Sequence, residues 1–243
     1  MPFDYALRAS LRTNGFWAIC LLALTAAACR AAPEAERFPQ AGRDVAPIVG
    51  DQYSTEDARD RVGEAEEVMR LAEVAAGMSV ADVGAGEGYY SVRLAPIVGP
   101  RGRVLAEDIV PETRDKLAQR VQKENLDNIA VKLGKPADPL LPAQSFDRVF
   151  LVHMYHEVTE PYEFLWHLRE GLKENGLVIV VDSDRPVKRH GMPPRQLICE
   201  FQALGMEPAK TARLAHAEAY FIAFKIVAPR PSPAAIRTCA AKD

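Results

Sequence analysis

At 243 residues and 48% hydrophobic content, the chain can bury one sizeable core. Lysine and arginine number 30 against 33 aspartates and glutamates, a net charge of −3 with both signs interspersed, so no basic stripe marks a nucleic-acid partner. Four cysteines, two of them in the first 32 residues, make no disulfide framework, and Cys199 and Cys239 are expected to stay unpaired.

Residues 1–32 read as an export signal. Arg8 and Arg12 give a positive start, residues 16–28 an apolar run, and Ala26-Ala27-Ala28-Cys29 a close of small residues. The run falls short of the ~20 residues that span a bilayer. Ala26 and Ala28 suit the ordinary signal peptidase. Small-small-Cys also resembles the bacterial lipoprotein cleavage box, after which Cys29 would carry a lipid and tether the protein to a membrane, although Ala26 stands where that box usually has Leu. Either route exports the protein, to the periplasm or to its membrane. Residues 33–55, rich in Ala, Pro and charge, read as a linker. Residues 56–228 form one domain and 229–243 a loop-like tail.

Within the domain, Ser54-Thr55-Glu56-Asp57-Ala58 opens a helix, and Val62, Ala65, Val68, Met69, Leu71 and Ala72 continue it at helical spacing. A strand over 79–83 runs into Gly84, Gly86 and Gly88 and then a helix over 90–95. A second strand over 103–107 precedes a helix over 111–124, with Pro111 in its first turn. Strands over 129–133, 148–152 and 177–181 follow, with a helix over 162–172 between the last two. This alternation implies a parallel sheet covered on both faces. After a helix over 196–204, strands over 207–214 and 219–227 are joined too closely for a parallel crossover, so they must form an antiparallel hairpin.

The turn Asp82-Val83-Gly84-Ala85-Gly86-Glu87-Gly88 departs from a dinucleotide fingerprint, whose sixth position is glycine where this chain has Tyr89. NAD is therefore disfavoured. An acid two places before the first glycine suits a ligand bearing positive charge and hydroxyls. With Glu107 and Asp108 about 20 residues beyond the glycines, the chain resembles the class I S-adenosylmethionine-dependent methyltransferases. That resemblance spans residues 56–227 and implies a Rossmann-like fold, a mostly parallel seven-stranded sheet ending in an antiparallel hairpin. It implies S-adenosylmethionine as cofactor, with Asp82, Gly84, Gly86 and Gly88 at the turn. Asp108 would bond the ribose hydroxyls with Glu107 as neighbour or substitute, and Ala137 and Asp138 would meet the adenine. One of Tyr89 and Tyr90 is expected beside the sulfonium and the other in the core; Tyr90 is assigned to the cofactor.

A base or substrate-orienting group is sought in His153-Met154-Tyr155-His156-Glu157, at the carboxyl end of the fourth strand. His153 is the first choice, because its ordinary pKa lies near neutrality, and Tyr155 or His156 the second. His-x-x-His-Glu does not match the spacing of zinc-hydrolase helices, so no metal is expected. The polar loop over 182–191, with Arg185 and His190, is expected to bound the acceptor pocket. The acceptor is expected to be a small molecule. The competing class is an exported, non-catalytic binding domain that keeps the same fold. The three intact glycines, Asp82 and Asp108 favour cofactor binding in either case.

Overall fold

The computed structural model describes residues 37–48, 56–215 and 218–240. The expected export signal and Cys29 lie outside these. Among the described residues no helix is long and apolar enough to cross a membrane.

One seven-stranded sheet organises the described residues. Its strands are β1 (Ser79–Val83), β2 (Arg103–Asp108), β3 (Ile129–Leu133), β4 (Phe146–Val152), β5 (Leu172–Asp182), β6 (Met206–Arg213) and β7 (Tyr220–Ile226), in the order β3-β2-β1-β4-β5-β7-β6. The first five run parallel, and β7 is antiparallel to both β5 and β6. The terminal hairpin expected from the short connection is therefore present.

Successive residues of the inner strands alternate between two cores, as a strand period of two requires. Ala81, Val149, Leu151, Val178, Val180, Ile222 and Phe224 pack with α5 (Pro161–Leu168) and α6 (Pro194–Ala203). Val80, Phe150, Ile179, Val181, Phe221 and Ala223 pack on the other face with α2 (Glu64–Leu71) and α3 (Tyr89–Val98). Burial on both faces explains the nearly continuous apolar runs in β4, β5 and β7. The helix α4 (Pro111–Lys123) contributes buried Leu117.

The first helix departs from the sequence expectation. Gly63 takes a left-handed conformation, φ 66°, and divides the segment into α1 (Glu56–Val62) and α2. Glu64 opens α2 one turn ahead of Val68 and is buried with it.

Both flanking segments lie on the domain. In the stretch read as linker, Ala46 N–H donates to the His156 carbonyl at 3.0 Å, and Phe38 meets Trp166 edge-on. In the tail, Ile236 and Cys239 are buried. Cys239 is bonded to Cys199 of α6, Cα–Cα 6.0 Å, which corrects the expectation of two unpaired thiols. Sequence position could not show this pair, because the tail reaches α6 only after folding back over α5. There the Tyr162 hydroxyl accepts the Cys239 N–H at 2.6 Å. The bridge closes a separation of 40 residues, for which loop entropy gives about 2–4 kcal/mol of stabilisation. Reduction is expected to lower the calorimetric melting temperature by roughly 5–15 °C. A Cys199→Ser variant that melts with the oxidised wild type would remove this role.

Candidate functional site

The strand order reverses between β1 and β4, where open α/β sheets bind ligands beyond the carboxyl ends of their strands. A cavity of about 700 Å³ lies there, within the ~300–1,000 Å³ usual for small-molecule sites. It is lined by Gly84, Ala85 and Gly86 after β1, Glu107 and Asp108 at the end of β2 with Ile109 and Val110 beyond it, and His153, Met154 and Glu157 after β4.

The glycine turn is built from three left-handed residues, with φ of 69°, 58° and 89° at Gly84, Gly86 and Gly88. Side chains other than hydrogen are strained there. At Gly84 an added Cβ would also come within 2.9 Å of the Met154 side chain, and at Gly88 within 2.4 Å of Leu117. At Gly86 nothing lies within 4 Å, so the backbone is open to a ligand. Asp108 fastens this turn. Its Oδ2 accepts the Gly86 N–H at 2.9 Å and its Oδ1 the Val110 N–H at 2.8 Å, linking the end of β1 to the start of α4.

Glu107 lies beside Asp108, buried, with Oε1 accepting no hydrogen bond. Gly134 makes room for it, since a Cβ there would lie 1.5 Å from that oxygen. Burial, reinforced by the Asp108 charge, pushes the Glu107 carboxyl up to about 8. Burial likewise raises Asp82 to about 6, although Ser91 of α3 donates to it at 2.6 Å. Asp82 therefore supports the turn from beneath and does not line the cavity, contrary to its expected place at the ligand.

The raised Glu107 has a definite consequence for stability. The fold favours the protonated acid, whereas the unfolded chain ionises near 4.5. Its contribution is full below that value and is lost as pH rises towards 8. Glu107→Gln, neutral and nearly isosteric, is expected to flatten this part of the stability profile and to raise the melting temperature at pH 9 relative to wild type. Parallel profiles for the two proteins between pH 5 and 9 would refute the assignment.

Of the residues expected to act on substrate, only His153 lines the cavity. It holds a left-handed backbone, φ 53°, of the kind that concentrates at functional sites. Its Nε2 donates to Glu64 Oε2 at 2.9 Å. Burial works to raise the Glu64 pKa, but the hydrogen bond and charge of His153, with Arg59, outweigh it and bring Glu64 down to about 2. Sequence reasoning missed Glu64, although its spacing of four residues from Val68 places it on the buried face of α2.

Tyr155 and His156 turn inward on a single 3₁₀ turn, Tyr155–Glu157. The Tyr155 hydroxyl donates to Glu200 at 2.8 Å, and burial with that charge pushes its pKa well above the ordinary value, which removes it as a base. His156 Nδ1 donates to buried Asp182 at 2.9 Å. Tyr90 is also a core residue, its hydroxyl donating to Glu64 at 3.0 Å. Tyr89 lines the cavity in its place, with the Arg59 and Arg93 guanidinium carbons 3.9 and 3.8 Å from its ring centroid, so its ring already meets two cations. Ala137 and Asp138 lie off the cavity, and Asp138 accepts the Leu140 N–H at 2.7 Å. Lys135 and Pro136 of that segment reach the cavity instead.

These residues fit S-adenosylmethionine on grounds visible in the fold. The cavity combines an open glycine backbone with two adjacent carboxyl groups, one holding an unsatisfied oxygen, which suits hydroxyls and positive charge.

A protein-family model described as a methyltransferase domain matches residues 75–219. Among relatives, a protein-L-isoaspartate O-methyltransferase of Ignicoccus hospitalis is 26% identical over 119 residues, 49% of this chain and 54% of that protein. A demethylmenaquinone methyltransferase of Listeria welshimeri is 26% identical over 121 residues, 50% and 51% of the two chains. The chain thus spans about half the length of these relatives. In fold it is similar to a SAM-dependent methyltransferase from Aquifex aeolicus, TM-score 0.63 at 21% identity, covering 72% of this chain and all of that one. The chain belongs to the methyltransferase domain family, and its cofactor is S-adenosylmethionine.

Proposed function

We propose that the protein transfers a methyl group from S-adenosylmethionine to a small-molecule acceptor held beside His153. The observation that carries this reading is the His153–Glu64 pair, on the wall of the cavity that the glycine turn and Asp108 also line. When bound, the cofactor supplies a methyl group already activated by positively charged sulfur. The protein's part is chiefly alignment, which is worth up to ~7–11 kcal/mol. Glu64 stays ionised through the neutral range and fixes the imidazole ring at the cavity wall, where His153 can orient an acceptor hydroxyl or take its proton. Ile48, Ile109, Met154 and Phe164 give the cavity apolar walls, which suit a ring compound carrying that hydroxyl.

We place the protein outside the cytoplasm, with tethering through a lipidated Cys29 as one route. The Cys199–Cys239 bond supports this, because such bonds persist in oxidising compartments. The same bond favours a second reading, an exported binding domain that keeps the cavity without turnover, since the cofactor is made in the cytoplasm. Incubation with isotope-labelled S-adenosylmethionine and a panel of phenols and quinols separates the two. Transfer is expected, with His153→Ala lowering kcat by about 10²–10⁴ at unchanged cofactor affinity. Retained cofactor binding with no acceptor labelled by wild type would leave the binding domain.

A further inference from the structure

We propose that His156, Glu157 and His190 form a divalent transition-metal site at the edge of the cavity, with zinc as the ion to test. One ligand atom from each residue lies within 4.8 Å of the other two. Zinc bound at ~2.0–2.1 Å places tetrahedral ligand atoms about 3.3–3.5 Å apart, so modest side-chain rotation closes the set. Two imidazoles and one carboxylate make a donor set suited to zinc and its neighbours, and three protein ligands leave a coordination position open.

The surroundings are arranged as metal sites require. His156 Nδ1 donates to Asp182, 2.9 and 3.1 Å from its two carboxylate oxygens, which fixes the ring and leaves Nε2 as the nitrogen it can offer an ion. A carboxylate behind a histidine in this way orients the ligand and raises its basicity. Asp182 is itself fully buried and held by the Ser183 N–H at 2.7 Å. His190 comes from the loop after β5 in a left-handed conformation, φ 52°. Arg185 secures it there by donating twice to the His190 carbonyl, at 3.0 and 2.9 Å. The two imidazole rings meet edge to face, centroids 5.6 Å apart. The unfavourable spacing is that of His153, His156 and Glu157; in the fold His190, from a distant loop, takes the place of His153.

Glu157 lines the cavity, so an ion held there would stand at its wall. The site does not depend on methyl transfer, and its test is read without turnover. The untagged full chain, stripped with chelator, is titrated with zinc in a calorimeter and with cobalt(II) while visible absorption is recorded. One ion per chain is expected, at micromolar affinity or tighter, with cobalt bands characteristic of nitrogen and oxygen ligands. His190→Ala and Glu157→Gln, in residues that are only partly buried, are each expected to weaken binding by about 100-fold or more while circular dichroism stays unchanged. Wild type binding neither ion below about 100 µM, or a folded His190→Ala variant binding as wild type does, would overturn the assignment.

Discussion

Asp108→Ala is expected to weaken S-adenosylmethionine binding by at least about 100-fold in a calorimetric titration. Asp108 accepts the Gly86 and Val110 N–H groups, so one carboxylate both shapes the glycine turn and sets the start of α4. It also lines the cavity, where the ribose hydroxyls of the cofactor would meet it. Hydrogen bonds to charged groups contribute about 1.5–3 kcal/mol each; losing two corresponds to a factor of roughly 10²–10⁴. Asp108→Asn keeps one acceptor oxygen and should fall between wild type and alanine. NADH, tested in parallel, should give no response, since the turn lacks the sixth-position glycine. An alanine variant that retained wild-type affinity would show that Glu107, not Asp108, is the ligand-binding acid.

How much of this was legible depended on the kind of signal. Strands such as β1 and β7 carry apolar residues on both faces, as strands of a sheet with a packed core on each side do, so local composition identified them. The terminal hairpin followed from connection length alone. The glycine turn and Asp108 were legible because backbone conformation and ligand approach dictate residue type at fixed positions. Side-chain direction was not. Tyr89 and Tyr90 begin a helix whose phase depends on Gly88, and successive residues on a helix point about 100° apart; only packing decides that Tyr90 enters the core. The motif resemblance puts Asp138 at the adenine, but a carboxylate in a turn competes for nearby backbone N–H groups, and here it accepts that of Leu140. The inward turn of Tyr155 and His156 is set by Glu200 and Asp182, distant residues with no local trace at the motif. His190 and the Cys199–Cys239 bond are likewise products of tertiary contact.

Glu200→Ala is expected to destabilise the fold by about 3–5 kcal/mol in denaturant unfolding. Glu200 is fully buried in α6, and its two oxygens accept from Arg43 Nε at 2.9 Å, Gln196 at 2.9 Å and the Tyr155 hydroxyl at 2.8 Å. The Arg43 side chain is 2% exposed. Burial works against its charge, but the Glu200 carboxylate outweighs that and raises its pKa, so the guanidinium stays ionised. Arg43 also donates to the Tyr155 and Val158 carbonyls, which ties the segment before the domain to the turn after β4. Removing the carboxylate leaves a buried cation and the Tyr155 hydroxyl without their partner, and that desolvation is the source of the cost. Replacing both members of the pair, Arg43→Met with Glu200→Leu, removes the stranded charge and should recover most of the loss, because apolar groups of similar volume substitute for a buried ion pair at little cost. The coupling energy from this double-mutant cycle is the decisive quantity. Additive losses would mean that Arg43 and Glu200 stabilise the fold separately, and that the segment before the domain is held by its backbone contacts instead of by this ion pair.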